Sequence, residues 1–245
     1  MIESMRLADV STHQTASLWP TVTHHEDGIL LGCQTGLKMF NRKTKEIKLL
    51  KKGFFNVAQN NGDIFIAQTR SYSVSVMKYS ETTTDQLFSF TSRSCNASPL
   101  SVSESYVAII DLCDMQIKLY NRHTRHVSNI ALPNTIFIQN LCFTSDGSLL
   151  VTSLTEEHNS DIDNDSEDDS DDDNSDVGYD RCCLLTKYRV EPESASGGAA
   201  LTRLWSVEEE GVAVCGVAES ESGQIFLCGV ANKTVYIYSG EGAYV

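Results

Sequence analysis

DGILL at residues 27–31, followed by GLKMFNRKT at residues 36–44, introduces a pattern that the rest of the chain repeats. Asp-Gly readily adopts the positive φ angles of a tight hairpin, so residues 27–28 predict a turn that leads into an apolar strand. Residues 36–44 predict a second strand, which ends on an aromatic residue and leaves through a polar turn. The same order of turn and strands recurs four more times.

The spacing of the strand-ending aromatic residues gives the repeat period. The first two gaps are 39 and 41 residues, and the third, of 68, falls to 43 when the 25 residues 156–180 are left out. The fourth gap, of 50, contains a Ser- and Gly-containing linker at residues 193–199. A period near 40 with four short strands in each unit is typical of a β-propeller. The aromatic residues are Phe40, Tyr79, Tyr120, Tyr188 and Tyr238.

A β-sandwich would have similar strand spacing, but it would not repeat its sequence, as FNRKT at residues 40–44 and YNRHT at residues 120–124 do. We therefore predict an all-β chain, a β-propeller of four-stranded blades with five blades visible, forming one domain over residues 1–245. A weakly alternating strand at residues 2–10 leaves two alternatives open. Either it completes the fifth blade and closes the ring, or the chain is a fragment of a six-bladed ring.

Most of the formal charge of -14 belongs to one segment. Residues 156–180 contain 13 Asp and Glu and no Lys or Arg, which leaves 20 acidic and 19 basic residues elsewhere. We expect this segment to be a disordered insertion within the fourth blade, because it has too little apolar surface to bury. Its Asp spacing does not complete a calcium-binding loop. Ser160, Ser166 and Ser170 each have an acidic residue three positions later and are candidate phosphorylation sites.

The eight cysteines form no C-x-x-C pair, and no secretory signal or apolar run of transmembrane length is present. We therefore expect a cytoplasmic protein with reduced cysteines, no zinc site or other cofactor, and no membrane association.

Loops between the second and third strands of each blade share a propeller face with the connections between blades, and ligands usually bind at that face. Tyr and Arg are the residue types that most often anchor protein interfaces. The candidate partner-binding residues in these loops are Arg70, Tyr72, Asp114 and Lys233. The alternative for each is an ordinary loop side chain.

The repeat resembles NHL-type repeats, in which an apolar triplet, an Asp-Gly or Asn-Gly turn and two strands follow one another. IQNLCFTSDGSLLV at residues 138–151 matches this pattern best, and the resemblance covers about residues 18 to 240. The chain departs from the family in lacking most Pro-x-Gly sequences and in carrying the acidic insertion. The resemblance to the C-terminal propeller of tripartite-motif (TRIM-NHL) proteins implies a monomeric, non-catalytic protein-interaction scaffold or substrate-recognition module.

Two other functions remain as alternatives. The first is an RNA-binding NHL-like propeller, indicated by a basic cluster that comprises Lys38, Arg42, Lys43, Lys45, Lys48, Lys51 and Lys52, with Arg122, His123 and Arg125. The second is a calcium-dependent propeller hydrolase. It is the weakest of the three, since the histidines lie mostly in turns and no repeat places an Asp or Glu at the start of its innermost strand.

Overall fold

A computed structural model describes residues 21–25, 28–33, 35–80, 83–92, 98–133, 135–155, 182–192, 198–210, 214–229 and 234–245. The chain divides into two compact units, Met1–Ile130 and Ala131–Val245. All regular secondary structure in the described ranges is β-strand, and every paired strand is antiparallel to its neighbour in sequence.

The first unit contains three four-stranded sheets, each built from four consecutive strands. Sheet 1 comprises β1 (Thr21–His25), β2 (Gly28–Cys33), β3 (Gly36–Asn41) and β4 (Ile47–Lys51). Sheet 2 comprises β5 (Phe54–Asn60), β6 (Asp63–Arg70), β7 (Ser73–Tyr79) and β8 (Thr84–Thr91). Sheet 3 comprises β9 (Leu100–Val102), β10 (Tyr106–Asp111), β11 (Gln116–Asn121) and β12 (Val127–Ala131).

The second unit contains a four-stranded sheet and a three-stranded sheet among its described residues. Sheet 4 comprises β13 (Phe137–Phe143), β14 (Leu149–Thr155), β15 (Cys182–Glu191) and β16 (Ala200–Glu210). Sheet 5 comprises β17 (Val214–Glu219), β18 (Ile225–Gly229) and β19 (Val235–Tyr238). Tyr244 adds an isolated antiparallel bridge to Tyr238, a fourth-strand contact that the sequence did not predict.

Strand β6 shows how the sheets of the first unit pack. Ile64 and Ile66 join a buried cluster with Leu30 of sheet 1, whereas Phe65 joins a second cluster with Val107 of sheet 3. Alternate side chains of a strand point to opposite faces, so sheet 2 is covered on both sides by apolar neighbours. This face-to-face packing of successive sheets is the arrangement expected of propeller blades.

The repeated segments FNRKT at residues 40–44 and YNRHT at residues 120–124 form turns of the same type. In each, the asparagine Oδ1 accepts the backbone N–H groups of the residues two and three positions later, at 2.8 and 3.1 Å for Asn41 and at 2.9 and 3.0 Å for Asn121. The residue four positions later, Lys45 or Arg125, has φ of 61° in both turns. The asparagine therefore recurs because its side chain replaces missing backbone partners in the turn.

Two further turns of the repeat, one Asn-Gly and one Asp-Gly, have the backbone conformation that these residue pairs favour. Asn61 and Gly62 have φ of 49° and 81°, the positive pair that a type I′ hairpin needs. Gly147 has φ of 80° and donates its N–H to the Thr144 carbonyl at 3.0 Å. Asp27 of the first predicted turn lies outside the described residues, as do the predicted strand at residues 2–10 and the acidic segment 156–180.

Two strands owe their length to their partners. Strand β1 pairs with β2 until His25 lies opposite Gly28. The outer strand of sheet 4, β16, runs over the 11 residues Ala200–Glu210 because the long strand β15 pairs with it as far as Glu210. The acidic end of β16 has little of the apolar alternation that marks a strand in sequence.

Candidate functional site

Three of the four predicted partner-binding residues lie at the same end of sheets 2 and 3. Arg70 ends β6, Tyr72 lies in the turn that follows it, and Asp114 lies in the equivalent turn of sheet 3. Tyr72 is 69% exposed, and Arg70 and Asp114 are also exposed. We call this end of the two sheets the Tyr72 edge. Lys233, the fourth candidate, lies outside the described residues.

A buried serine connects the two turns of the Tyr72 edge. The backbone N–H of Ser92 donates to the Tyr72 carbonyl oxygen at 2.9 Å, and Ser92 Oγ lies 3.5 Å from Cys113 Sγ. Ser92 itself is only 1% exposed. Because one buried residue contacts both turns, the exposed Tyr72 ring extends from a fixed backbone, and Asp114 follows the residue that Ser92 contacts.

A buried ion pair supports the turn that bears Asp114. The Asp111 carboxylate, in a residue 1% exposed, lies 3.2 Å from Lys118 Nζ and accepts the Cys113 backbone N–H at 3.1 Å. The Lys118 ammonium also lies 5.0 Å from the centroid of the Phe90 ring. A buried pair of this kind fixes geometry more reliably than it adds stability. Sequence reasoning assigned no role to Asp111, because its partner Lys118 is an ordinary strand lysine in sequence.

Arg70 is held against its own strand. With the Gln68 amide oriented to satisfy both groups, Gln68 Oε1 accepts from Arg70 Nε at 3.1 Å and from Nη2 at 3.2 Å. A preordered arginine loses less side-chain freedom when it contacts a partner. The Tyr72 edge thus combines an exposed aromatic ring with an oriented guanidinium group.

Arg122, which the sequence placed in a basic cluster, is an inter-sheet contact. Its Nη2 lies 3.0 Å from Asp63 Oδ2, and its Nη1 donates to the backbone carbonyls of Ser103 and Glu104, both at 2.9 Å. The guanidinium also stacks over the Phe65 ring, 4.9 Å from its centroid. Arg122 is therefore largely committed to joining sheets 2 and 3.

The matching arginine of sheet 1 differs. Arg42 occupies the same position of the same turn but is exposed, as are Lys43, Lys45 and Lys48 nearby. The basic cluster thus separates into an exposed group on sheet 1 and a residue, Arg122, whose charge is paired with Asp63.

In the second unit, the acidic segment lies in the sequence between two paired strands of sheet 4. Strand β14 ends at Thr155 and β15 begins at Cys182, and these two residues are paired across the ladder. The segment therefore connects the second and third strands of sheet 4. Ile136 and Phe137, 47% and 39% exposed, lie at the same end of the sheet, where Phe137 pairs with Leu154. Ser160, Ser166 and Ser170 lie outside the described residues.

The opposite end of sheet 4 has a strong polar contact. Lys187 Nζ, on a side chain 8% exposed, lies 2.9 Å from Asp146 Oδ2. Burial alone would raise the pKa of Asp146, but hydrogen bonds from Thr144, Lys187 and Ser148 outweigh it and hold that pKa well below its usual range. Trp205 Nε1 donates to the Gly240 carbonyl at 3.1 Å and so joins sheet 4 to sheet 5. These residues stabilise the fold of the second unit.

Within the described residues, no group of three or more His, Cys, Asp and Glu side chains is arranged to hold a metal ion. The part of the chain that the structure describes also has no helix long and apolar enough to cross a membrane. The described cysteine side chains, which include Cys33, Cys142 and Cys228 of the predicted strands, are free thiols.

Comparison with known proteins defines the class by structure alone. No protein-family model matches the sequence, and no curated protein matches it. Hydrazine synthase of Kuenenia stuttgartiensis is similar in structure, with a TM-score of 0.55 and 12% identity over 98% of this chain and 80% of that one. A nidogen/laminin complex gives a TM-score of 0.57 and 10% identity over 91% and 76% of the two chains. Virginiamycin B lyase from Staphylococcus aureus gives a TM-score of 0.55 and 10% identity over 96% of this chain and 70% of that one.

These three structures are six-bladed propellers, and this chain resembles them in structure only. Sequence identities of 10% to 12% establish a shared fold and nothing about function. The chain is an all-β protein with a β-propeller fold, as the repeat period predicted.

Proposed function

We propose that this chain is a non-catalytic propeller of the NHL type that recognises a protein partner through the Tyr72 edge. The observation that carries the proposal is the combination of a 69% exposed Tyr72 with a backbone fixed by the buried Ser92. A large, rigid aromatic side chain contributes contact area with little loss of conformational freedom, which is why tyrosine is common at interface hot spots.

The charges of the edge add specificity. Arg70 is oriented by Gln68, and Asp114 is exposed on the neighbouring turn, so the edge presents both signs of charge beside the aromatic ring. Complementary charges at an interface select the partner and its orientation more than they add affinity. A partner surface with an apolar pocket flanked by an acidic and a basic group fits this pattern.

The compared structures are compatible with the proposal and do not select it. They include a nidogen/laminin complex and also a lyase, so the fold accommodates both binding proteins and enzymes. The NHL assignment rests on the sequence resemblance at residues 138–151 and on the Asn-Gly and Asp-Gly turns.

Affinity capture tests the proposal with a matched pair of variants. Tyr72→Ala should reduce capture of the partner at least tenfold, in line with the loss of an interface hot spot. Tyr244→Ala removes an aromatic residue that is equally exposed, at 68%, and should leave capture unchanged. Equal losses from both variants, or no loss from Tyr72→Ala, would count against the proposal. Deletion of residues 156–180 shows separately whether the acidic segment contributes.

RNA binding is retained as a second candidate because Arg42, Lys43, Lys45 and Lys48 are exposed together on sheet 1. Binding through phosphate contacts weakens steeply as salt rises. RNA binding is supported if the unmodified chain retains single-stranded RNA at 50 mM salt and the double variant Lys43→Gln/Lys45→Gln does not. It is eliminated if the unmodified chain retains no RNA at 50 mM salt.

A further inference from the structure

A cleft lies between sheets 2 and 3, at the opposite end of the sheets from the Tyr72 edge. Its volume is about 410 Å³, within the range of small-molecule sites and enough for about a dozen water molecules. The aromatic residues Phe65 and Tyr120 line it together with Leu87. Phe65 and Tyr120 are 1% and 4% exposed, so this apolar wall belongs to the packed core.

Three cations also line the cleft, but two of them already have an anionic partner. Arg122 and Lys78 both contact the Asp63 carboxylate, at 3.0 and 2.7 Å. Arg125 is the third, and within the described residues it has no ion-pair partner. Its charge is therefore the one that remains available to an anion in the cleft.

The cleft also offers hydrogen-bond acceptors. Asp85 and Gln86, on β8, line it and are exposed, and within the described ranges Asp85 has no ion-pair partner. Lys78, the cross-strand neighbour of Asp85, directs its ammonium group to Asp63. A carboxylate at this position would repel a simple anion, but it would accept hydrogen bonds from hydroxyl groups.

We propose that this cleft binds a small organic anion that carries hydroxyl groups, such as a sugar phosphate or a hydroxy acid. Arg125 contacts the anionic group, and Asp85 and Gln86 accept hydrogen bonds from the hydroxyl groups. Leu87, the half-buried member of the apolar wall, contacts the carbon skeleton. Arg122 and Lys78 position the site: the ion pair of Arg122 with Asp63 joins sheets 2 and 3, and the ion pair of Lys78 with Asp63 lies within sheet 2. The cleft is separate from the Tyr72 edge, so the two proposals stand or fall independently.

The chain contains its own control for this site. Lys45 occupies the same position as Arg125 in an identical turn and has the same φ of 61°, but it does not line the cleft. Removing the charge at either position therefore perturbs a turn of the same backbone conformation. Only one of the two changes removes a charge from the cleft.

The test is a titration of the ¹⁵N-labelled full chain at 20 mM salt, followed by amide chemical shifts, with glucose 6-phosphate, inorganic phosphate and glucose as probes. Glucose 6-phosphate should give saturable shifts at Gln86, Leu87 and Arg125, with an affinity roughly fivefold higher than that of inorganic phosphate. Glucose alone should bind more weakly than either anion.

Arg125→Gln should weaken glucose 6-phosphate binding roughly tenfold, the loss expected of one hydrogen bond to a charged group, whereas Lys45→Gln should leave it unchanged. The proposal is overturned if no saturable shifts occur at the cleft, if the two variants weaken binding equally, or if inorganic phosphate binds as tightly as glucose 6-phosphate. The last result would indicate an unspecific anion site.

Discussion

Replacing Arg122 by glutamine should destabilise the first unit by about 3 kcal/mol. The guanidinium donates to two backbone carbonyls at 2.9 Å, and losing the partly buried hydrogen bond to Ser103 costs about 1 to 2 kcal/mol, whereas losing the exposed one to Glu104 costs less, about 0.5 to 1 kcal/mol. The ion pair with Asp63 adds at most about 1 kcal/mol, since the Asp63 side chain is 34% exposed. Stacking over Phe65 adds about 0.5 to 1 kcal/mol. Such contributions are not fully additive, so the expected total is below their sum.

Arg42→Gln is the matched control, because Arg42 has the same position in the same turn and is exposed. The free energy of unfolding of the Arg42→Gln variant should stay within about 0.5 kcal/mol of that of the unmodified protein. The measurement is urea unfolding followed by circular dichroism, with hydrogen exchange of β6 and β11 locating the change. Similar free energies for the two variants would refute the inference that Arg122 joins sheets 2 and 3.

Two further predictions concern the second unit. The pKa of Asp146 is lowered in the folded state, so its ionised carboxylate stabilises the fold above about pH 4, and this stabilisation is lost as the pH falls through the folded pKa. Asp146→Asn should therefore lower the free energy of unfolding by about 1 kcal/mol at pH 7 and flatten the decline in stability between pH 5 and 2. Urea unfolding at each pH measures both effects. Unchanged stability at pH 7 would show that the contact with Lys187 contributes nothing. Burial, aided by the charge of Glu209, raises the pKa of Cys183 to about 12. Iodoacetamide at pH 8 should therefore modify the exposed Cys113 at least a hundredfold faster than Cys183, and peptide mass spectrometry follows both rates. Comparable rates would contradict the burial of Cys183.

The local elements were predictable because their signals are local. Asn121 and Asn41 mark the same turn, since each side chain accepts backbone hydrogen bonds only two and three positions away. The positive φ of Gly62 and Gly147 likewise follows from residue type. These signals, repeated at a period near 40 residues, were sufficient to predict a propeller.

The contacts between sheets were not predictable in the same way. Arg122 pairs with Asp63, 59 positions earlier, and nothing near either residue in sequence indicates the other. Arg42 shows the consequence, because an equivalent residue in an identical turn remains exposed. Ser92 is similar: its support of Tyr72 depends on a buried position that a serine in a polar stretch does not indicate. The Tyr72 edge itself was predicted from loop position and residue type.

The most direct test of the Tyr72 edge as a recognition surface is site-specific photo-crosslinking in cells. A benzophenone amino acid at position 72 is compared with one at position 49, where Leu49 is 44% exposed on the outer strand of sheet 1. If the Tyr72 edge is a recognition surface, position 72 gives a discrete crosslinked protein adduct and position 49 gives none. Adducts of equal yield from both positions, or none from position 72, would contradict it.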